Sequence, residues 1–119
     1  MAVHNILGRD GEKLAKGYLE ELGFEILEEN WVFKKSEIDL IVYKNSTIIF
    51  VEVKTRRNNS FAEPEDFVSP DKQKQMALAA EEYIHLMSHK HEIRFDIISV
   101  LFDNFGKPVI NHIEDAFWP

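Results

Sequence analysis

The sequence predicts an α/β domain with a central mixed sheet and helices packed against it, and three observations carry that prediction. Apolar residues recur at helical spacing in two segments, around residues 14–22 and 76–87. Short apolar runs bounded by turn residues lie between and after them, as strands do. The resulting order is helix, three strands, helix, two strands, with no repeat, low-complexity tract or linker.

Leu14, Ala15, Tyr18, Leu19 and Leu22 form the stripe of the first helix, and Gly23 stops it. Its start is expected near residue 9, or as early as Asn5, because Gly8 and Gly11 interrupt the pattern. Residues 24–30, apolar at 24, 26 and 27, read as the first strand. Residues 37–43 and 48–54 are the second and third, with Lys44-Asn-Ser-Thr47 as the turn between them. Residues 58–69 are rich in breakers and read as a loop. Ser69-Pro70 is an N-cap followed by proline at the first helical position, opening a helix to about Ser88. Met76, Leu78, Ala79, Ala80, Tyr83, Ile84 and Met87 supply its apolar surface. A long strand over 92–102, a turn at 104–108 and a short strand over 109–113 follow. The apolar tail Ala116-Phe-Trp-Pro119 must pack on the domain or on a partner chain.

At 119 residues the chain is one domain, residues 1–119, with room for a single core. The absence of cysteine excludes disulfides, thiolate zinc sites and thiol catalysis. No run approaches the roughly 18 apolar residues of a membrane span, and the N-terminus lacks the features of a signal peptide. A soluble, cytoplasmic protein is therefore expected, with no membrane partner. The net charge of −7 weighs mildly against a nucleic-acid partner. Basic residues nevertheless cluster at Lys34-Lys35, Lys54-Thr-Arg56-Arg57 and Lys72-Gln73-Lys74, flanking the second and third strands. They leave room for a positive face on an acidic body, or for ordinary solvated lysines.

Those two strands carry charge where apolar residues belong. If Asn45-Ser46 is a two-residue hairpin loop, facing positions sum to 91. Asp39 then faces Glu52, and Glu37 faces Lys54. Alternation places these four on one sheet face, with Ile38, Leu40, Val51 and Val53 on the other. Two facing carboxylates at about 5 Å repel by about 3 kcal/mol at an effective dielectric near 20. Lys54 offsets part of this, as does a raised carboxylate pKa, and a divalent cation offsets it best. Two carboxylates and a lysine on one face suit a divalent-metal site for phosphodiester chemistry. Glu12, about 20° beyond Leu19 on the helical wheel, is placed to join them or to snorkel as a surface glutamate. The competing structural reading is a cross-strand ladder of Glu37–Lys54, with Asp39 bound to Lys34, Lys35 or Arg56. His85 and His89, four apart, lack the glutamate of a zinc-protease motif and read as residues near a helix end.

Glu37-Ile-Asp-Leu-Ile41 and Phe50-Val-Glu-Val-Lys-Thr-Arg56, with Gly11-Glu12, Ala15, Tyr18-Leu19, Lys72-Gln73, Arg94-Phe-Asp96 and Asp115-Ala-Phe117, resemble the YraN-like family of small bacterial proteins across nearly the whole chain. That family is similar to the PD-(D/E)XK nuclease superfamily, especially its Holliday-junction resolvases. The resemblance implies a restriction-endonuclease-like αβββαβ core. It matches Asp39, Glu52 and Lys54 to the Asp…Glu-x-Lys signature, and Glu12 to the helix glutamate of resolvase-like members. Ser36 stands where the family usually has glycine, and Ile38 where the superfamily often has proline. The expectation that follows is a Mg²⁺- or Mn²⁺-dependent endonuclease acting on DNA, with branched or structured DNA as a candidate substrate. Asp39 and Glu52, with Glu12, would hold the metal, and Lys54 would position water or stabilise developing charge. Lys34, Lys35, Arg56, Arg57, Lys72, Gln73 and Lys74 would contact the DNA. A homodimer, with Phe117-Trp118 at its interface, would suit a symmetric junction. The alternatives are a nucleic-acid-binding module that keeps the fold without cleaving, and a protein-interaction domain held by the salt-bridge ladder.

Overall fold

Two helices cover opposite faces of a five-stranded sheet in the computed structural model, which describes residues 3–57, 64 and 66–119, with side chains from residue 8 onward. The elements are α1 (Val3–Glu21), β1 (Glu25–Phe33), β2 (Ser36–Lys44), β3 (Thr47–Arg57), α2 (Pro70–Leu86), β4 (Ile93–Phe102) and β5 (Pro108–Ile113). Spatial order follows chain order, β1-β2-β3-β4-β5. Every neighbouring pair is antiparallel except β3 and β4, which α2 links in parallel. This is the expected α/β architecture, compatible with an αβββαβ core extended by β5.

Alternation divides the core into two layers. Leu40, Val42, Ile49, Val51, Ile98 and Val100 meet Ala15 and Leu19 of α1. Ile41, Ile48, Phe50, Phe95 and Ile97 meet Met76, Ala79, Ala80 and Tyr83 of α2. The largest of these side chains contribute about 1.5–3 kcal/mol each by leaving water. Such near-continuous burial of β3 and β4 is the pattern of strands covered on both faces.

Asn45 and Ser46 both take positive φ (51° and 64°), so the hairpin loop has the two left-handed residues its twist favours. The β2–β3 register is accordingly the one expected, from Lys44↔Thr47 to Leu40↔Val51. Ser69 caps α2, its hydroxyl accepting the Lys72 N–H.

Several expectations need correction. α1 is already helical at Val3, so neither Gly8 nor Gly11 delays its start. Gly11 is buried because the helix backbone crosses directly over β3, and a Cβ there would overlap the Thr55 side chain. β1 runs on to Phe33, past the predicted end at Asn30, and carries a bulge near Leu27. Part of the loop expected over 58–69 falls outside the described residues, namely 58–63 and 65. The tail takes the first of its two expected places, on its own domain, with Phe117 and Trp118 lying 5.4 and 5.9 Å from the Phe95 ring. Ser36, at a position where the family usually has glycine, is buried and donates to the Gln75 carbonyl (3.1 Å), tying β2 to α2.

Alternation also fails once in each of β1 and β2, at facing positions. Ile38 packs in the α2 layer beside Ile41, although it was expected on the face of Leu40. On β1, Glu28 meets Tyr83 of α2 and Glu29 meets Lys16 of α1, yet Trp31 is again against Tyr83. The register Glu29↔Leu40 and Trp31↔Ile38 brackets the pair Asn30 and Asp39. Asn30 has φ 51°, a left-handed residue inside a strand, and it turns both strands over at that point.

A second buried carboxylate locks the C-terminal end. Asp96, fully buried on β4, accepts two bonds from Arg94 (2.8 Å each), one from the Asp115 N–H (2.9 Å) and one from His112 Nε2 (2.7 Å). With Nε2 donating, His112 Nδ1 accepts the Tyr18 hydroxyl (3.1 Å), which joins α1 to β5. Burial opposes the Asp96 charge, but the bonds from His112 and Arg94 hold its pKa below the ordinary range.

Candidate active site

The β2–β3 ladder stops at Leu40↔Val51. Beyond it β2 stays with β1 as far as Phe33↔Ser36, while β3 stays with β4 as far as Arg57↔Phe102. The sheet therefore forks, and Asp39 sits in the crotch of the fork. Its Oδ2 accepts the Val53 N–H at 2.7 Å, taking the place of the ladder bond that β2 no longer offers.

Three carboxylates reach this point from three elements. Asp39 comes from β2, Glu52 from the buried part of β3, and Glu12 from α1, next to the close contact at Gly11. Burial, then the adjoining Glu52 and Glu12, push the Asp39 carboxyl up to about 9. Asp39 thus keeps its proton well above the ordinary carboxylate range. Glu12 is raised by burial and by Glu37 and Glu52, against a hydrogen bond from Asn30 that favours its charge. Glu12, Asn30 and Asp39 line a cleft of about 380 Å³, whose α1 rim carries Arg9, Lys13 and Lys16.

The basic residues separate into those at the site and those away from it. Lys72, at the start of α2, places Nζ 2.8 Å from Glu52 Oε2. Burial works against its charge, yet Glu52, Asp39 and Glu37 hold its pKa above the ordinary range. Lys54 Nζ lies against the Pro64 carbonyl (3.4 Å) and the Phe67 ring (5.5 Å). Gln73 donates to the Val68 carbonyl (2.9 Å), an anchoring bond for the segment before α2. Lys74 is exposed on α2, Arg57 is exposed at the end of β3, and Arg56 follows Lys54 by alternation. Lys34 and Lys35 lie at the β1–β2 turn and line a different cleft with Phe33, Gln75 and Leu78. His85 ends α2, and His89 is bonded to the Glu92 carbonyl at 2.8 Å.

Two features were not foreseen. Asn30 lies beside Glu12, where it favours the carboxylate's charge, and sets the twist that aims Asp39 into the fork; a lone asparagine in a strand, tolerant of positive φ, was the available signal. Arg9, Lys13 and Lys16 share one helical stripe with Glu12, at i, i+4 and i+7, which the sequence also displays.

The donor set suits a divalent cation. Three carboxylates from separate elements approach the fork, where burial and its neighbours oppose ionisation of Asp39, and a double positive charge would favour it. Among the described residues no three acidic or histidine side chains already stand at ligand spacing, and Glu52 faces Lys72 instead.

Comparison with known proteins agrees with the sequence motifs. Residues 11–100 match the model of the uncharacterised protein family UPF0102. UPF0102 proteins of Flavobacterium psychrophilum and Bacteroides fragilis are 45% and 43% identical, covering 99% and 100% of this chain and 98% of each relative. One from Rhodococcus opacus is 40% identical over 96% of this chain and 98% of its own length. Among solved structures, SfsA of Pyrococcus furiosus in complex with Ca²⁺ superposes with a TM-score of 0.42 at 16% identity, over 93% of this chain and 63% of that one.

Proposed function

This chain belongs to the uncharacterised protein family UPF0102, and from its carboxylate cleft we propose that it is a divalent-metal-dependent endonuclease hydrolysing phosphodiester bonds in DNA, branched or structured DNA included. The observation that carries the reading is the meeting of Glu12, Asp39 and Glu52 at the fork between β2 and β3, where the sheet's own hydrogen bonding has been given up. A fork of this kind costs backbone pairing and concentrates like charge, so a purely structural role leaves it unexplained.

In this reading Asp39 and Glu52 hold Mg²⁺ or Mn²⁺, with Glu12 as a direct or water-mediated third ligand. The bound cation supplies Lewis acidity towards a phosphate oxygen and lowers the pKa of a water. The Val53 N–H fixes one Asp39 oxygen and leaves the other for ligation. Asn30 orients Glu12. Lys54, beside Pro64 and Phe67, is the group that stabilises developing charge once substrate draws it inward. Arg9 and Lys13 on the α1 rim of the cleft, and Lys72 and Lys74 at the head of α2, offer phosphate contacts.

A second reading, a nucleic-acid-binding module that does not cleave, is favoured by one observation, since Lys72 already neutralises Glu52. Labelled four-way and duplex DNA incubated with Mg²⁺ or Mn²⁺ separates the two. Cleavage by the wild type and at least about a hundredfold loss in Glu52→Ala is the expected result, as for removal of a metal ligand or its support. Cleavage that persists in the variant, or binding without cleavage under all metal conditions, sinks the nuclease reading.

A further inference from the structure

The ion pair between Lys72 and Glu52 occupies a position where the proposed metal needs an unencumbered carboxylate. Nζ lies 2.8 Å from Oε2, and the two partners differ in exposure. The Glu52 side chain is only 9% exposed and is fixed within β3, whereas the Lys72 side chain is 44% exposed at the head of α2. The Lys72 backbone is pinned by its N–H to the Ser69 hydroxyl (3.2 Å), so only its flexible four-carbon stem has to move. The lysine of the Glu-x-Lys run does not perform this job, because Lys54 is turned towards Pro64 and Phe67.

Resting on the metal-dependent reading above, we propose that Lys72 is a resident counter-cation. It holds the metal's place on Glu52 while the site is metal-free, and swings off Glu52 as a divalent cation binds. A buried carboxylate beside Asp39 and Glu12 is destabilising without a positive partner, and Lys72 provides one that leaves without unfolding anything. A divalent cation near Oε2 repels the Lys72 ammonium at close range, so ion pair and metal compete for Glu52. Once displaced, the ammonium remains within one side-chain length of the cleft, available to a substrate phosphate. Lys72 is thus a positioning residue whose first partner is protein and whose second is ligand.

Calorimetric titration of the whole chain with MnCl₂ tests this. Removing a competing ion pair by Lys72→Met, and equally by Lys72→Gln, is expected to tighten Mn²⁺ binding about tenfold. Lys72→Arg, which restores the competing charge, returns the affinity towards wild type. Lys90→Met, an exposed change of the same charge far along the chain, shifts it by less than about twofold. Without metal, Lys72→Met melts below the wild type, and saturating MnCl₂ closes the gap, which a merely structural lysine would not do. Unchanged or weaker Mn²⁺ binding in both Lys72 variants overturns the role of Lys72 while leaving the metal reading intact. Absence of Mn²⁺ binding in the wild type and all variants overturns both.

Discussion

Asp39 on β2 and Asp96 on β4 are carboxylates withdrawn from water by the same sheet, and their charges meet opposite treatment. Asp96 is surrounded by donors: the Arg94 fork, His112 and the Asp115 N–H all converge on it, and its pKa falls. Asp39 receives one backbone N–H and two acidic neighbours, and its pKa climbs to about 9. Burial opposes ionisation at both positions, so the difference lies in the company each keeps. A satisfied carboxylate of the first kind is finished structure. An unsatisfied one of the second kind is a site waiting for charge from outside.

The sharpest way to break this comparison is to remove both acids in turn. Asp96→Asn strands the Arg94 guanidinium beside an amide and is expected to cost about 3–5 kcal/mol in urea denaturation at neutral pH. Added Mn²⁺ should not rescue it. The sign with pH follows from the lowered pKa: Asp96 stabilises above its unfolded value of 3.8, and that support is lost as pH falls through the folded value. A loss below about 1 kcal/mol would show that the converging donors matter little.

Asp39→Asn should act in the opposite direction, because the amide imitates the protonated acid without having to take up a proton on folding. We expect a gain of about 1–3 kcal/mol at neutral pH, with loss of Mn²⁺ binding. The folded state holds the Asp39 proton up to about pH 9, whereas the unfolded chain releases it near its ordinary 3.8. Wild-type stability should therefore decline across that window as pH rises, and the Asn variant should lack this decline. Parallel pH profiles of the two proteins would contradict the assignment.

The smallest expected effect comes from the residue facing Asp39. Asn30→Ala forces a β-carbon without asparagine's tolerance into the left-handed region, at a cost of about 1–2 kcal/mol. Asn30→Gly keeps the backbone easy and should cost less, while still removing the polar side chain beside Glu12. If both variants weaken Mn²⁺ binding although only Ala is unstable, Asn30 serves the site as well as the twist. Equal destabilisation would leave it a role in the strand alone.

Local chemistry explains what could be read in advance. Asn45-Ser46 dictates a two-residue turn, and from it the register to Leu40↔Val51 follows by counting. Ser69-Pro70 announces α2 in the same way. The unread part depends on tertiary contacts or on a single dihedral. Alternation assumes that every strand residue flips the face, so it cannot register one left-handed Asn30, and Ile38 was assigned to the wrong layer for that reason. Lys72 and Glu52, or Arg94, Asp96, His112 and Asp115, come together only after helix and strands have docked. The carboxylates of the site were thus visible as misplaced charge, and their counter-charges were not.

The distance from Glu12 to the other two acids is governed by an atom that is absent. Gly11 lets the backbone of α1 settle onto Thr55, and Glu12 is carried to the fork by that settling. A single methyl group at position 11 would lift this part of the helix from β3 without altering any charge, ligand or hydrogen-bonding side chain. In engineering terms, position 11 is a shim. Its thickness decides whether the fork gathers two carboxylates or three.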